Sequence, residues 1–298
     1  MEYDFAEEGV SANDVRLRYR LPAGRLIIGQ TKVPMGLNEL TSSNSMTFIE
    51  RASNSNVIAD SRRLGLSYHL SQNNYTFQTM VYSRAIGDSK QAGDSQIGAA
   101  GRFVFNPIMQ GTEMLHLGAS IAVEDFADQR GASFSDRPES RPAGARLIGT
   151  GDLEDATGTF KYGLEAAYKN GPFSMEAEYL SVDVDRADNS DPSFDGYHIQ
   201  ASYVLTGESR SYSGGNFGGI RPSSPGGAWE VAARFSSIDL DDSGVTGGKQ
   251  ENITLGLNYY ANANVRFMAN LIRADIEGGT AGEDETANIA LLRAQYSF

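Results

Sequence analysis

From residue 13 onward the chain keeps returning to one pattern: apolar and polar side chains alternate for about ten residues, then a turn-prone break follows. The last run, 286–298, puts Leu292, Ala294, Tyr296 and Phe298 on one face and Arg293, Gln295 and Ser297 on the other. Period two predicts a β-strand, because successive side chains of a pleated strand point to opposite faces. Counting back, 264–276 sets Val265, Phe267, Ala269 and Leu271 against Arg266 and Asn270. The run 249–260 sets Ile253, Leu255, Leu257 and Tyr259 against Asn252, Thr254 and Asn258. Trp229, Val231, Ala233 and Phe235 oppose Glu230, Arg234 and Ser236 in 227–238. In 195–206, Tyr197, Ile199, Ala201, Tyr203 and Leu205 oppose His198, Gln200 and Ser202. The same holds in 171–183, where Glu176 and Glu178 fall opposite Phe173, Met175, Ala177 and Tyr179, and in 157–168, where Lys161 and Glu165 fall opposite Tyr162, Leu164, Ala166 and Tyr168. Further strands are predicted at 113–124, 96–106, 75–84, 62–70, 24–33 and 13–21, with a fragment at 2–7. The register of 24–33 is ambiguous, since both of its faces mix apolar and polar residues.

The runs have the length of membrane-crossing strands, about 9–13 residues. Their connections alternate. Tight turns fall at Leu21–Gly24, Ser71–Asn74, Pro107–Thr112, Lys169–Asn170 and Tyr260–Ala263. Longer segments lie between, at 34–61, 85–95, 125–156, 184–194, 239–248 and 277–285. Short periplasmic turns and long external loops are how outer-membrane barrels are threaded, and a terminal strand ending on an aromatic looks like the closing strand of one. The segment 207–226 breaks the rule, being long on the short-turn side. About 14 strands are visible, an even number, which puts both termini on the periplasmic side. The chain therefore reads as all-β: one transmembrane antiparallel β-barrel domain spanning 1–298.

Composition fits without proposing the idea. Mean hydropathy is −0.36, and no run approaches the roughly 20 apolar residues of a membrane helix. Gly at 33 and Tyr and Phe at 14 each suit many short strands with Gly-rich turns. The absence of Cys excludes disulfides, thiolate metal sites and a Cys nucleophile. A net charge of −13 argues against nucleic acid as a partner. Met1 is followed by Glu-Tyr-Asp-Phe-Ala-Glu-Glu rather than by a signal peptide, so on a barrel reading the chain is mature or truncated at its start.

Several stretches resemble one family. They are Gly29-Gln-Thr-Lys-Val-Pro-Met-Gly-Leu37, Leu40-Thr-Ser-Ser43 and Thr47-Phe-Ile-Glu-Arg51, then Leu115-His-Leu-Gly-Ala-Ser120, Arg137-Pro-Glu-Ser140 and Asn170-Gly-Pro-Phe173. Tyr203-Val-Leu-Thr-Gly-Glu-Ser-Arg-Ser-Tyr212 and Gly227-Ala-Trp-Glu-Val-Ala-Ala-Arg-Phe-Ser236 complete the order. Together they resemble the phosphate-selective porin O and P family of bacterial outer-membrane porins. The resemblance implies a barrel of 16 strands assembled as a homotrimer. It places a hairpin ahead of residue 2; the alternative is a smaller barrel closed by about 14 strands. It also implies that one or two long external loops fold into the lumen: 34–61, with Glu39, Glu50 and Arg51, as the constriction loop, and 125–156, which carries Arg130 and puts part of an arginine ladder at Arg137, Arg141 and Arg146.

A selective pore needs charged side chains along a water-filled constriction. In Asp14-Val-Arg-Leu-Arg-Tyr-Arg-Leu21, period two places Arg16, Arg18 and Arg20 on one face. Val15, Leu17, Tyr19 and Leu21 take the lipid, because an Arg there costs roughly 2–4 kcal/mol at midplane. Three permanently charged forks about 7 Å apart form a strip suited to phosphate or carboxylate. Alternation adds inward Arg63, Arg102, Arg234, Arg266 and Arg293 from the early and late strands, against Glu165, Glu176 and Glu178 from the middle ones. A basic wall facing an acidic one is expected. The lysines that gather anions in the family have little counterpart, since the chain holds just Lys32, Lys90, Lys161, Lys169 and Lys249.

Outward Trp229, Tyr203, Tyr179, Tyr168, Tyr259, Tyr296 and Phe298 suit interfacial girdles. Asp239-Leu-Asp-Asp-Ser-Gly244 opens like a calcium loop, but Gln250 stands at the twelfth place, where a bidentate Glu belongs, so a solvated acidic turn is expected. His69, His116 and His198 lie on different strands, away from any nucleophile motif. The expected function is passive diffusion of small anionic solutes, phosphate or polyphosphate-like, through a porin in contact with outer-membrane lipid and lipopolysaccharide. No cofactor or metal is called for. A general porin without anion preference is the alternative, and a barrel enzyme a more distant one.

Overall fold

The computed structural model describes residues 3–4, 11–86, 96–126, 131–280 and 282–297. Phe298, Arg130 and Lys90 lie outside the described residues. Among the described residues, thirteen strands form one antiparallel sheet in chain order. They are β1 (Val15–Arg20), β2 (Arg25–Lys32), β3 (Arg62–Ser71), β4 (Tyr75–Tyr82), β5 (Gln96–Gln110), β6 (Glu113–Phe126) and β7 (Ala156–Asn170). Then come β8 (Phe173–Arg186), β9 (Ser193–Val204), β10 (Ala228–Asp242), β11 (Val245–Tyr260), β12 (Val265–Glu277) and β13 (Glu285–Tyr296). Each strand pairs with its neighbours in sequence, the pairing produced when every connection is a hairpin.

The alternation of the sequence is the alternation of the sheet. Leu271 is 61% exposed, while its neighbours Asn270 and Ile272 are buried. In a membrane this inversion is expected: apolar side chains face lipid, and the inner face carries the packing. The outward aromatics separate into two belts. Trp229 stacks on Tyr259 with ring centroids 4.5 Å apart, and Tyr259 on Phe267 at 6.5 Å, beside the short turns. Toward the long loops, Tyr162 meets Tyr179 at 6.0 Å and Tyr197 meets Phe235 at 5.9 Å. On β9 the belts are marked by Tyr203 and Tyr197, six residues or about 20 Å apart. Ile199 and Ala201 occupy the apolar band between them.

Two expectations are corrected. Of the 2–7 fragment, residues 3–4 are described, and they stand outside the large sheet: Tyr3–Asp4 pairs with Ser11–Ala12 as a separate two-residue ladder. The 239–248 segment is not an open loop either. Strands β10 and β11 continue through it to a two-residue turn, with Asp242 paired to Val245. Ser243 and Gly244 both have positive φ, 48° and 87°, the backbone of a type I′ hairpin turn. The calcium-like spacing is thus the tip of a hairpin.

Among the described residues, three segments occupy the interior, which explains why the inner face is buried rather than wet. The first, 33–61, carries α1 (Leu37–Leu40) and α2 (Ser53–Ile58). A second, 131–155, folds on a short ladder between Ser135–Asp136 and Ile148–Gly149. The connector 205–227, from β9 to β10, enters from the opposite end. Toward the long loops, inward Met80, Leu180, Val182, Phe194, Ile238, Leu240 and Ile276 pack with Val33, Met35, Ile58, Phe134, Ile148 and Leu153 in one apolar cluster. This half of the lumen is a protein core. Near the short turns a smaller cluster joins Leu37, Met114, Ala167 and Phe217.

Candidate pore lining and its inward-folded segments

Inward-facing polar side chains hold the three segments, and most of the predicted lumen charges are used this way. The α1 end of 33–61 is set by acids. Glu178 accepts from the backbone N–H groups of Leu37 and Asn38 and from the Ser55 hydroxyl, at 2.9 Å for the last. Glu176 accepts from the Asn38 side chain at 3.0 Å. Across the lumen, Arg266 donates to the Met46 carbonyl at 2.7 Å, Asn258 to the Thr47 carbonyl at 2.8 Å, and the Ile49 N–H to Asn270 at 2.8 Å. The segment therefore bridges β8 and β12, which requires the sheet to curl around it. Its middle is braced by Arg51, bonded to Glu39 at 2.5 Å and to the Thr41 carbonyl at 3.0 Å.

The second segment is fixed by Glu139, which sequence reasoning passed over as a mere motif position. Its carboxylate accepts from Arg234, from the Ser236 hydroxyl at 2.6 Å and from the Thr254 hydroxyl at 2.7 Å. Glu139 has φ +48°, a left-handed conformation that costs a non-glycine residue on the order of 1 kcal/mol. Arg234 also donates to the Glu50 carbonyl at 3.1 Å and lies 4.4 Å over the Phe48 ring. One guanidinium thus clamps both inward loops to β10. The neighbouring Asp136 accepts from Gln250 at 3.0 Å, and burial pushes its carboxyl up to about 7 against hydrogen bonds from Ser53 and Gln250.

Connector 205–227 is anchored by two buried ion pairs. Arg102 makes a forked contact with Glu165 at 2.5 and 2.9 Å and reaches the Gly215 carbonyl at 2.8 Å. Arg210 bonds Glu230 at 2.7 Å and the Ser45 carbonyl at 2.7 Å, which ties the connector to the first segment. Tyr212 meets His116 at 2.6 Å. Burial opposes the charge on Glu208, yet donors on Thr206 and Ser223 hold its carboxyl down to about 2.

Arg51, Arg102, Arg234 and Arg266 are therefore committed to anchoring. Arg63 lies 3.1 Å from Asp60 and 3.8 Å from Glu124. Arg137 and Arg146 staple their own segment, to the Gly144 carbonyl at 3.4 Å and the Ser135 hydroxyl at 2.5 Å. The end strands differ. Arg18 and Arg20 are exposed, and Arg16 is bonded to Asp14 at 2.8 Å and Thr31 at 2.7 Å. Their face is the inner one: Arg18 pairs with Ile27, which pairs with Ser67, and both partners are buried. Arg20 pairs with Arg25, Arg25 with His69, His69 with Gln78, and Gln78 with Arg102. Arg25, also exposed, was missed because the alternation of 24–33 is ambiguous; its position opposite Arg20 would have revealed it. At the other edge of the sheet, burial raises the Glu50 carboxyl while Arg141, Arg293 and Arg51 pull it back down, so these cations gather around one acid.

An all-antiparallel sheet with lipid-facing aromatic belts, curled around inward-folded segments, defines an outer-membrane barrel of the porin type. Residues 1–298 match the family model of the phosphate-selective porin O and P, and the chain belongs to that family. It is a protein of the bacterial outer membrane. It is 30% identical to an uncharacterised protein of Caulobacter vibrioides over all of this chain, spanning 64% of that relative's length. Porin O of Pseudomonas aeruginosa is 30% identical over 92% of this chain and 70% of its own. The fold is similar to that of an anion-selective porin from Comamonas acidovorans, with a TM-score of 0.55 and 16% identity over 94% of this chain and 76% of that one.

Proposed function

We propose that the protein is a porin passing small anions along one side of the lumen, where the end strands β1, β2 and β13 leave arginines uncommitted. The observation that carries this is the contrast between arginines. Arg102 and Arg234 are buried against carboxylates, whereas Arg18, Arg20 and Arg25 are exposed on the inner face. A guanidinium keeps its charge at every pH of interest and offers forked donors to phosphate or carboxylate. Solute would be handed along Arg20 and Arg18, about 7 Å apart, to Arg16, whose pairing with Asp14 tempers its hold, each site weak enough to release it. Arg293 and Arg141 supply positive charge near the Glu50 rim.

Membership of the phosphate-selective porin O and P family, and the anion selectivity of the structurally similar Comamonas porin, support anion preference. A broader anion porin is favoured over strict phosphate selectivity by the lysines: Lys161 is bound to Asp60 at 2.8 Å and Lys32 to Glu39 at 3.2 Å. Assembly as a homotrimer and contact with lipopolysaccharide belong to the same reading. The test is single-channel recording in a planar bilayer. Anion-sided reversal in a chloride gradient with block by added phosphate supports a phosphate site. Anion preference without block supports the broader porin, and cation preference refutes both.

A further inference from the structure

A cavity of about 200 Å³ lies at the external end of the interior, apart from the arginines of the end strands. Segment 131–134, the end of α2 and strands β3, β5, β6 and β7 line it. Its charged lining comes from four elements: Asp60, Arg63, Glu124 and Lys161. Lys161 sits 2.8 Å from Asp60 and 3.9 Å from Glu124; Arg63 sits 3.1 Å from Asp60 and 3.8 Å from Glu124. Asp60 is therefore hydrogen-bonded by both cations, while Glu124 is left beyond hydrogen-bond distance of either. Glu124 Oε1 and the hydroxyl of the neighbouring Tyr82 are both buried, and neither makes a hydrogen bond of good geometry. Thr159 is 4% exposed, lines the same cavity, and its hydroxyl has no partner either. A built polar pocket with unmet acceptors is the situation in which a ligand group or water completes the network.

We infer that this cavity binds a small zwitterion, a solute of amino-acid size carrying both an ammonium and a carboxylate. Two acids and two bases make the lining neutral. A lone anion would draw Lys161 and Arg63 off their acids and leave buried carboxylates uncompensated, and a lone cation would do the reverse. A zwitterion supplies both signs together. Its ammonium meets Glu124 Oε1 and the Thr159 hydroxyl, and its carboxylate meets Lys161 and Arg63. A water needs about 10–15 Å³ of such space, so the cavity admits several waters or one small amino acid. The site would concentrate such solutes at the external entrance.

The probe is L-serine, titrated calorimetrically into the folded protein in detergent, with acetate and ethylammonium as single-charge controls. The expected result is saturable L-serine binding at least about tenfold tighter than either control, weakened about tenfold or more by Glu124→Gln and by Lys161→Met. Thr159→Val, which removes one hydroxyl, is expected to weaken it about fivefold and serves if the charge variants fail to fold. Absence of saturable binding, acetate binding as tightly as L-serine, or binding unchanged in a folded variant overturns the inference. The assay involves no transport, so its outcome is independent of ion preference in the bilayer.

Discussion

Removing the Glu139 carboxylate separates an anchoring arginine from a conducting one. In the wild type Arg234 is buried, bonded to Glu139 and to the Glu50 carbonyl at 3.1 Å. Glu139→Ala deletes the countercharge and the acceptor for Ser236 and Thr254. Breaking a buried pair from one side costs about 3–5 kcal/mol, because the remaining charge is uncompensated. Relief of the left-handed backbone at φ +48° does not offset it, since alanine is strained there too. Glu139→Gly regains on the order of 1 kcal/mol. The stranded guanidinium becomes a new anion site, so bound anion restores stability in proportion to its concentration, by about 2.7 kcal/mol at a hundred times its dissociation constant. The assay is thermal unfolding in detergent across a phosphate series, paired with reversal potential. Expected are a lower unfolding temperature that climbs with phosphate and a stronger anion preference. Unchanged stability, or a loss indifferent to phosphate together with unchanged selectivity, would refute the assignment of Arg234 as a clamped charge.

Arg102→Met alone should cost about 3–5 kcal/mol and loosen the 205–227 connector, while adding Glu165→Leu should recover most of it, measured as a double-mutant cycle in unfolding. Leu271→Arg should cost about 2–4 kcal/mol by placing a charge on the lipid face, read from the same transitions; a negligible effect would invert the assigned orientation. Asp136 has its folded-state carboxyl raised from 3.8 to about 7, so its protonated form is the one folding favours. The stabilisation is complete below the unfolded value and is lost as pH rises through about 7; Asp136→Asn should flatten stability between about pH 4 and 7. Removing charge at Arg186, which is bonded to Asp155 at 2.6 Å, should leave selectivity unchanged.

Strand direction and facing were legible in the sequence because lipid enforces period two so strictly. A wrongly placed Leu255 or Arg234 would put charge in hydrocarbon or grease in the lumen. Turn positions were less so. The Asp-rich tip at 239–244 reads as a loop by composition, yet Ser243 and Gly244 accept positive φ and let the strands run on. What the lumen contains was least legible. Alternation marks Arg102 and Arg234 as inward but is silent on their partners, Glu165 and Glu139, which lie 63 and 95 residues away. The inward apolar run Leu180, Val182, Val184 was the signal that the external half is packed rather than wet. It lies at the external end of its strand, past the inward Glu176 and Glu178 that give the same face a polar look lower down.

The most direct test of the proposed path is the reversal potential under a potassium chloride gradient, wild type against the combined Arg16→Gln, Arg18→Gln and Arg20→Gln variant. The account predicts an anion-sided potential in the wild type that moves most of the way to zero in the variant, with the barrel still folded. A cation-sided wild type, or a folded variant with its anion preference intact, would contradict it.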